Sequence, residues 1–223
     1  MTGDPFIDWG WIADHVGEIG SLTLDHVVLT GLAVGIGLLI SFPLAILSHR
    51  RRRLFPPITW VTGILYTIPS LALFAFLVPF TGLTKVTAEI GLVSYTLLIL
   101  IRNIVIGLDG VPDDAKEAAR GMGYTDRQLL WRVELPLAIP AMVAGVRIAT
   151  VTTIGLVTVA AIITEGGLGT LILRGLQRGL DATPVIVGSG LSFLLAIAAD
   201  ATLLVTQRAL TPWTQERRRG TVL

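Results

Sequence analysis

Residues 109–136 read DGVPDDAKEAARGMGYTDRQLLWRVELP, a polar stretch set between long apolar runs. Pro112-Asp113-Asp114 has the form of a helix start, because proline suits the first turn or the position before it and aspartate can cap free amides. Ala115 to Arg120 are strong helix formers. Gly123 suits the left-handed residue that closes a helix, and Thr125-x-x-Gln128 fits a capping box that opens a second one. The second helix is expected to end near Leu135-Pro136, where proline interrupts the hydrogen-bond ladder. Two short helices joined at a glycine would form a rigid prong. Physics alone leaves this prong as either a solvated connector or a docking surface. Ala118 and Ala119 offer a flat helix face, and Leu129, Leu130 and Trp131 offer apolar area that a free loop would hardly expose.

The flanks of this stretch set the fold class. The chain has 223 residues, 52% hydrophobic and 15% charged, with mean hydropathy +0.75. Soluble domains carry nearer ~25% charge. Five runs, roughly 26–48, 58–80, 86–108, 137–164 and 182–207, are long and apolar enough to cross ~30 Å of hydrocarbon as helices, which takes ~20 residues. Only helices or closed barrels satisfy their backbone groups in lipid, and these runs are too long for barrel strands and lack strict alternation. The expectation is an all-α integral membrane protein with five transmembrane helices and no separate soluble domain.

The cations set its orientation. Arg50, Arg51, Arg52 and Arg53, then Lys116, Arg120, Arg127 and Arg132, then Arg208, Arg217, Arg218 and Arg219 all fall on one side of a five-span chain. Lys85, Arg174 and Arg178 fall on the other, so twelve cations face three. That bias predicts an N-terminus outside, a C-terminus inside and a cytoplasmic insert. The domains are then an extracytoplasmic segment 1–25, a transmembrane domain 26–207 containing the insert 109–136, and a cytoplasmic tail 208–223. The N-terminal segment is acidic and lacks the basic region of a signal peptide. The net charge of +1 points to no nucleic-acid partner, and the absence of cysteine removes disulfides and thiolate metal sites. A phosphate-binding loop needs lysine after glycine and before Ser or Thr, and neither Lys85 nor Lys116 has that setting. His15, His26 and His49 are scattered and form no metal-binding pattern. No catalytic residue and no metal site are therefore expected.

The spacing Glu117-Ala118-Ala119-x3-Gly123-x9-Val133-x-Leu135-Pro136 resembles the EAA motif of bacterial ABC-importer permeases, with Val133 where isoleucine is usual. Three further stretches resemble the osmoprotectant branch, whose cargo is glycine betaine, carnitine, choline and related compounds. They are Tyr66-Thr67-Ile68-Pro69-Ser70-Leu71-Ala72-Leu73, Arg102-Asn103 with Gly107, and Gly166-Gly167-Leu168-Gly169. The resemblance covers roughly residues 25–207. It implies a type I ABC-importer permease fold in the bacterial plasma (inner) membrane. Glu117, Ala118, Ala119, Gly123, Leu135 and Pro136 would couple the spans to a cytoplasmic ABC ATPase dimer. A second permease subunit, identical or paralogous, and an extracytoplasmic substrate-binding protein would complete the complex. This chain would hold no cofactor, ATP and Mg belonging to the ATPase. Tyr66, Pro69, Ser70 and Asp200 are the candidates for the translocation path or gate. Any aromatic cage for a quaternary ammonium cargo would lie on the binding protein, since this chain is only 7% aromatic. The alternatives are a permease for methionine or another amino acid, and a motor-independent channel or scaffold.

Other residues carry weaker signals. Asp200 sits inside the fifth run, either neutralised by a partner such as Arg147 or lining a cation path. Arg102 and Arg147 are explained by snorkelling, with gate support as the other reading. Glu89 and Glu165 read as surface residues. Residues 170–180 show little helical regularity and suit the plane of the interface, and Phe6 to Ile12 read as an aromatic anchor. Gly31-x3-Gly35 is explained by ordinary packing within the chain.

Overall fold

The computed structural model describes residues 7–212, so Trp213, Arg217, Arg218 and Arg219 lie outside the described residues. Every regular element among those residues is helical. A short α1 (Trp9–Asp14), capped by the Asp8 carboxylate, leads at His15 into α2 (Val16–Arg50). After a 3-10 turn at Arg52–Leu54 come α3 (Phe55–Thr67), α4 (Ser70–Thr81) and α5 (Lys85–Asp109). The insert holds α6 (Asp113–Gly121), α7 (Asp126–Leu129) and a π-helical turn, Leu130–Glu134. The described residues close with α8 (Leu135–Ala160), α9 (Gly169–Gln177) and α10 (Ala182–Leu210).

Among the described residues four helices are long and apolar enough to cross a membrane: α2, α5, the run Asp126–Ala160 and α10. The second apolar run is not one straight helix. It is broken into α3 and α4, which meet at 94°. The cause is Pro69, which lacks an N–H and pushes Ile68 into extended backbone (φ −64°, ψ 127°). The Tyr95 hydroxyl donates to the Ile68 carbonyl that the break frees.

Helix α5 is the central post, packed on α2 and α8. Towards one end Leu29, Ala33, Phe74, Ala88, Leu92 and Val157 form a core, and towards the insert Ala45, Ile101, Ile104, Leu108, Leu130 and Leu135 form another. Helices in lipid gain little from hydrophobic burial, so such contacts rest on close fit and on polar links. Gly31 and Gly35 take no part in it: a Cβ at either would meet nothing within 4 Å, contrary to the expectation of packing within the chain.

Two further expectations fail for physical reasons. The helix that begins at Asp126 does not stop at Leu135-Pro136 but runs on into α8. The π turn places the Leu135 N–H on Leu130 O, one residue beyond the α-helical partner, and Pro136 then falls where a fresh α-helix begins. Residues 169–177 are regular helix rather than an irregular segment. Gly175 is not a breaker there but a contact point: a Cβ would lie 2.6 Å from Val185 Cγ2 and 2.8 Å from Asp181 O.

Candidate functional site

The insert is built from its caps inward. Helix α6 starts after Pro112 with Asp113 and Asp114 in its first turn and Arg120 in its last, which suits the helix dipole at both ends. Lys116 Nζ lies 3.2 Å from Asp113 Oδ1. The helix closes in a Schellman turn, with Tyr124 N–H donating to Ala119 O (3.1 Å) and Gly123 N–H to Arg120 O (2.9 Å). Gly123 has φ +82°, the left-handed region where side chains are strained. Thr125 caps the next helix at once, and the full capping box with Gln128 is present.

This geometry divides the motif residues. Glu117, Ala118 and Gly123 lie on the open face, whereas Ala119 and Leu135 are buried and Pro136 is half-buried. Leu129 and Leu130, at 3% and 2% exposure, are core residues and offer nothing to a partner, contrary to the sequence expectation. The open apolar area comes instead from Met122 (68% exposed) and Trp131 (54%). Trp131 leans on Phe42, ring centroids 6.4 Å apart, and Arg132 lies 6.0 Å from the Tyr124 ring centre.

Sequence reasoning missed what grips the insert. The C-terminal end of α2 reaches both ends of it. His49 Nδ1 donates to Asp109 Oδ1 (2.7 Å), while His49 Nε2 lies 3.6 Å from Glu134 Oε1. Arg52 adds a two-pronged contact to Asp109, with Nη2 at 2.8 Å from Oδ1 and Nη1 on Oδ2. Asp109 ends α5 and Glu134 precedes α8, so one imidazole is bonded to the start of the insert and sits beside its finish. The only signal in the sequence is a histidine beside the arginine run, which charge counting absorbs into topology.

The candidate path residues do not converge within this chain. Tyr66 and Arg102 line a groove of about 570 Å3 beside α3 and α5, near the break that carries Pro69 and Ser70. The Tyr66 ring sits edge-on to Tyr95, centroids 5.9 Å apart. Asp200 lines a separate groove of about 760 Å3 between α8 and α10. There Arg147 grips it with both prongs, Nε to Oδ1 and Nη2 to Oδ2 each at 2.9 Å, so Arg147 is paired rather than snorkelling. Glu165 is exposed as expected, but Glu89 is half-buried and its two carboxylate oxygens are enclosed without a hydrogen-bond partner.

The glycine run after α8 is a joint. Fully buried His26 of α2 donates from Nε2 to Ile154 O (3.0 Å) and accepts at Nδ1 from Leu168 N–H (3.2 Å). Thr170 Oγ1 accepts from Gly166 N–H at 3.1 Å. Gly169 packs so closely on α8 that a Cβ would stand 2.2 Å from Thr158 O. His26, scattered in the sequence, is thus the pin of this joint.

Residues 33–211 match the family described as binding-protein-dependent transport system inner membrane component. The chain is 39% identical over 207 residues to the osmoprotectant import permease protein OsmW of Salmonella typhimurium, covering 91% of this chain and 96% of that one. It is 36% identical over 197 residues to the glycine betaine/carnitine/choline transport system permease protein OpuCB of Bacillus subtilis, covering 88% and 90%. In fold it is similar to a chain of the MetNI methionine ABC transporter in inward facing conformations, with a TM-score of 0.80 over 92% of this chain and all of that one, at 21% identity.

Proposed function

The chain belongs to the family of binding-protein-dependent transport system inner membrane components, and from that premise we propose that it carries osmoprotectants such as glycine betaine, carnitine or choline into the cell. It is a transport subunit, and ATP hydrolysis lies on a separate chain. The names of its relatives support the cargo: an osmoprotectant permease matches 96% of its own length, and a glycine betaine/carnitine/choline permease 90%.

The α3–α4 pair counts as a fifth, broken span, the N-terminus lies outside and the C-terminus in the cytoplasm of a bacterium. Segment 1–25 is extracytoplasmic, 26–207 is the transmembrane domain and 208–223 the tail. The twelve-to-three cation bias supports that orientation. An ABC ATPase dimer, with its ATP and Mg, docks on the open face formed by Glu117, Ala118, Gly123, Met122 and Trp131. Ala119, Leu135 and Pro136 hold that face on the spans. A second permease subunit completes the path, and an extracytoplasmic binding protein delivers the cargo. Closure of the ATPases moves the insert, and the clamp of His49, Arg52, Asp109 and Glu134 passes that movement to α2, α5 and α8 together. Coupling means that ATP and the loaded binding protein favour the same state. Tyr66, Pro69, Ser70 and Asp200 face the path or its gate.

The single observation that carries this reading is the insert itself, two short helices joined at a left-handed glycine and bonded to α2 through Asp109. The test is uptake of betaine, carnitine, choline and methionine into vesicles holding the complex purified with its ATPase. ATP-dependent uptake of the three osmoprotectants is expected, abolished in Glu117→Arg. Uptake of methionine alone would refute the cargo, and undiminished uptake in Glu117→Arg would refute the docking role.

A further inference from the structure

The Arg147–Asp200 pair is placed where lipid cannot be its surroundings. At ~1.5 Å per helical residue, Arg147 lies about 18 Å from the start of α8 at Leu135, and Asp200 about 15 Å from the end of α10 at Leu210. Counted from the span ends at 137 and 207, the two lie about 15 Å and about 10 Å inside a ~30 Å hydrocarbon layer. Their side chains keep 23% and 40% of their exposure, on the wall of the groove of about 760 Å3. Charged groups at this depth face protein or a water-filled passage, not acyl chains.

Apart from Thr152 the rest of the groove is apolar, with Ile148, Val151, Phe193 and Ile197 on its walls. The pair is therefore a local dipole in a weakly screening setting, positive on the α8 side and negative on the α10 side. It is also held in place: Arg147 Nη1 donates to Gln207 Oε1 (3.3 Å), and Gln207 Nε2 donates to Pro140 O (3.0 Å). Arginine has five N–H donors, and these bonds occupy three. Two remain for an incoming carboxylate. Asp200 accepts one hydrogen bond on each oxygen and keeps capacity to attract a cation that donates none.

We propose that the Arg147–Asp200 pair is a way-station on the translocation path that favours zwitterionic cargo, a quaternary ammonium joined to a carboxylate, over cargo with the ammonium alone. The inference rests on the osmoprotectant reading above. A zwitterion lies antiparallel to the pair, its carboxylate on the free Arg147 donors and its ammonium beside Asp200, with Phe193 two turns along the same helix. A plain cation gains from Asp200 and is opposed by Arg147. The site is weak by construction, because each charge already has a partner, and weak binding is what a path needs.

The experiment compares uptake of glycine betaine, carnitine and choline by the complex in vesicles, using wild type, the apolar double variant Arg147→Met with Asp200→Leu, and the exchanged pair Arg147→Asp with Asp200→Arg. Losing one charge-assisted contact to the cargo predicts about a tenfold fall in betaine and carnitine uptake relative to choline in the apolar variant. The exchanged pair is again a dipole and should keep the zwitterion preference, which also controls for folding. An unchanged betaine-to-choline ratio in the apolar variant overturns the proposal. So does loss of the second permease subunit on purification of that variant, which would place the groove at the subunit interface. A wild-type complex that moves none of the three solutes sinks the cargo reading and this inference with it, whereas a failure confined to the variant ratio sinks the inference alone.

Discussion

Gly123→Ala isolates the backbone conformation of the insert from its contacts. A Cβ at this position would meet nothing within 4 Å, so alanine introduces no clash. The penalty comes only from holding a side-chain-bearing residue at φ +82°, about 1–2 kcal/mol. A change of that size lowers the population of the bent insert by roughly five- to thirtyfold relative to its straightened forms. Asparagine tolerates the left-handed region better and should cost less. Proline is a different perturbation. It fixes φ near about −65° and removes the N–H that donates to Arg120 O, so the turn that closes α6 cannot form, at ~3 kcal/mol or more. The assay is solute taken up per ATP hydrolysed in vesicles, with co-purification of the ATPase as the measure of docking. The expected order of coupling is glycine, asparagine, alanine, proline. If alanine were as damaging as proline, the side chain rather than the conformation would matter at this position. If proline coupled normally, the bend would have no part in docking.

Gly169→Ala should be far more damaging to stability than its size suggests, because the new methyl would lie 2.2 Å from a backbone oxygen of α8. Overpacking of this kind costs ~1–3 kcal/mol or more, read as a lower melting temperature in detergent, and an unchanged melting temperature would refute the close approach. The cysteine-free chain permits clean topology mapping with single-cysteine variants. Arg127→Cys should react with an impermeant maleimide only in inverted vesicles and Leu180→Cys only in intact cells, and the reverse pattern would overturn the orientation.

Much of the insert is legible in sequence because its determinants are local. The glycine at the left-handed position and the Thr–Gln capping box each act within a few residues and are formed as their spacing implies, whereas the expected aspartate cap is not, because Pro112 takes the N-cap position of α6 and no side chain bonds its free amides. The faces were not legible. Leu129 and Leu130 look like docking area in a polar stretch, yet they are core, because the helix on which they sit continues through Pro136 into α8. The break at Pro69 is equally local in cause, but nothing nearby shows that the two halves meet at 94° rather than in a shallow kink. Residues 170–180 mislead for the same reason: Gly175 looks like a helix breaker until α10 is seen packed against it.

By itself, then, the sequence determined that the chain is helical and membrane-crossing, which way its cations bias it, and where the insert bends, since composition, charge placement and capping act over one span or one turn. Tertiary structure alone decided that His49 bonds Asp109 and sits beside Glu134, that His26 pins the glycine joint, and that Arg147 and Asp200 face each other across two helices. Those pairings link residues separated by 53 positions or more, and a pattern read along the chain carries no information about which helix faces cross.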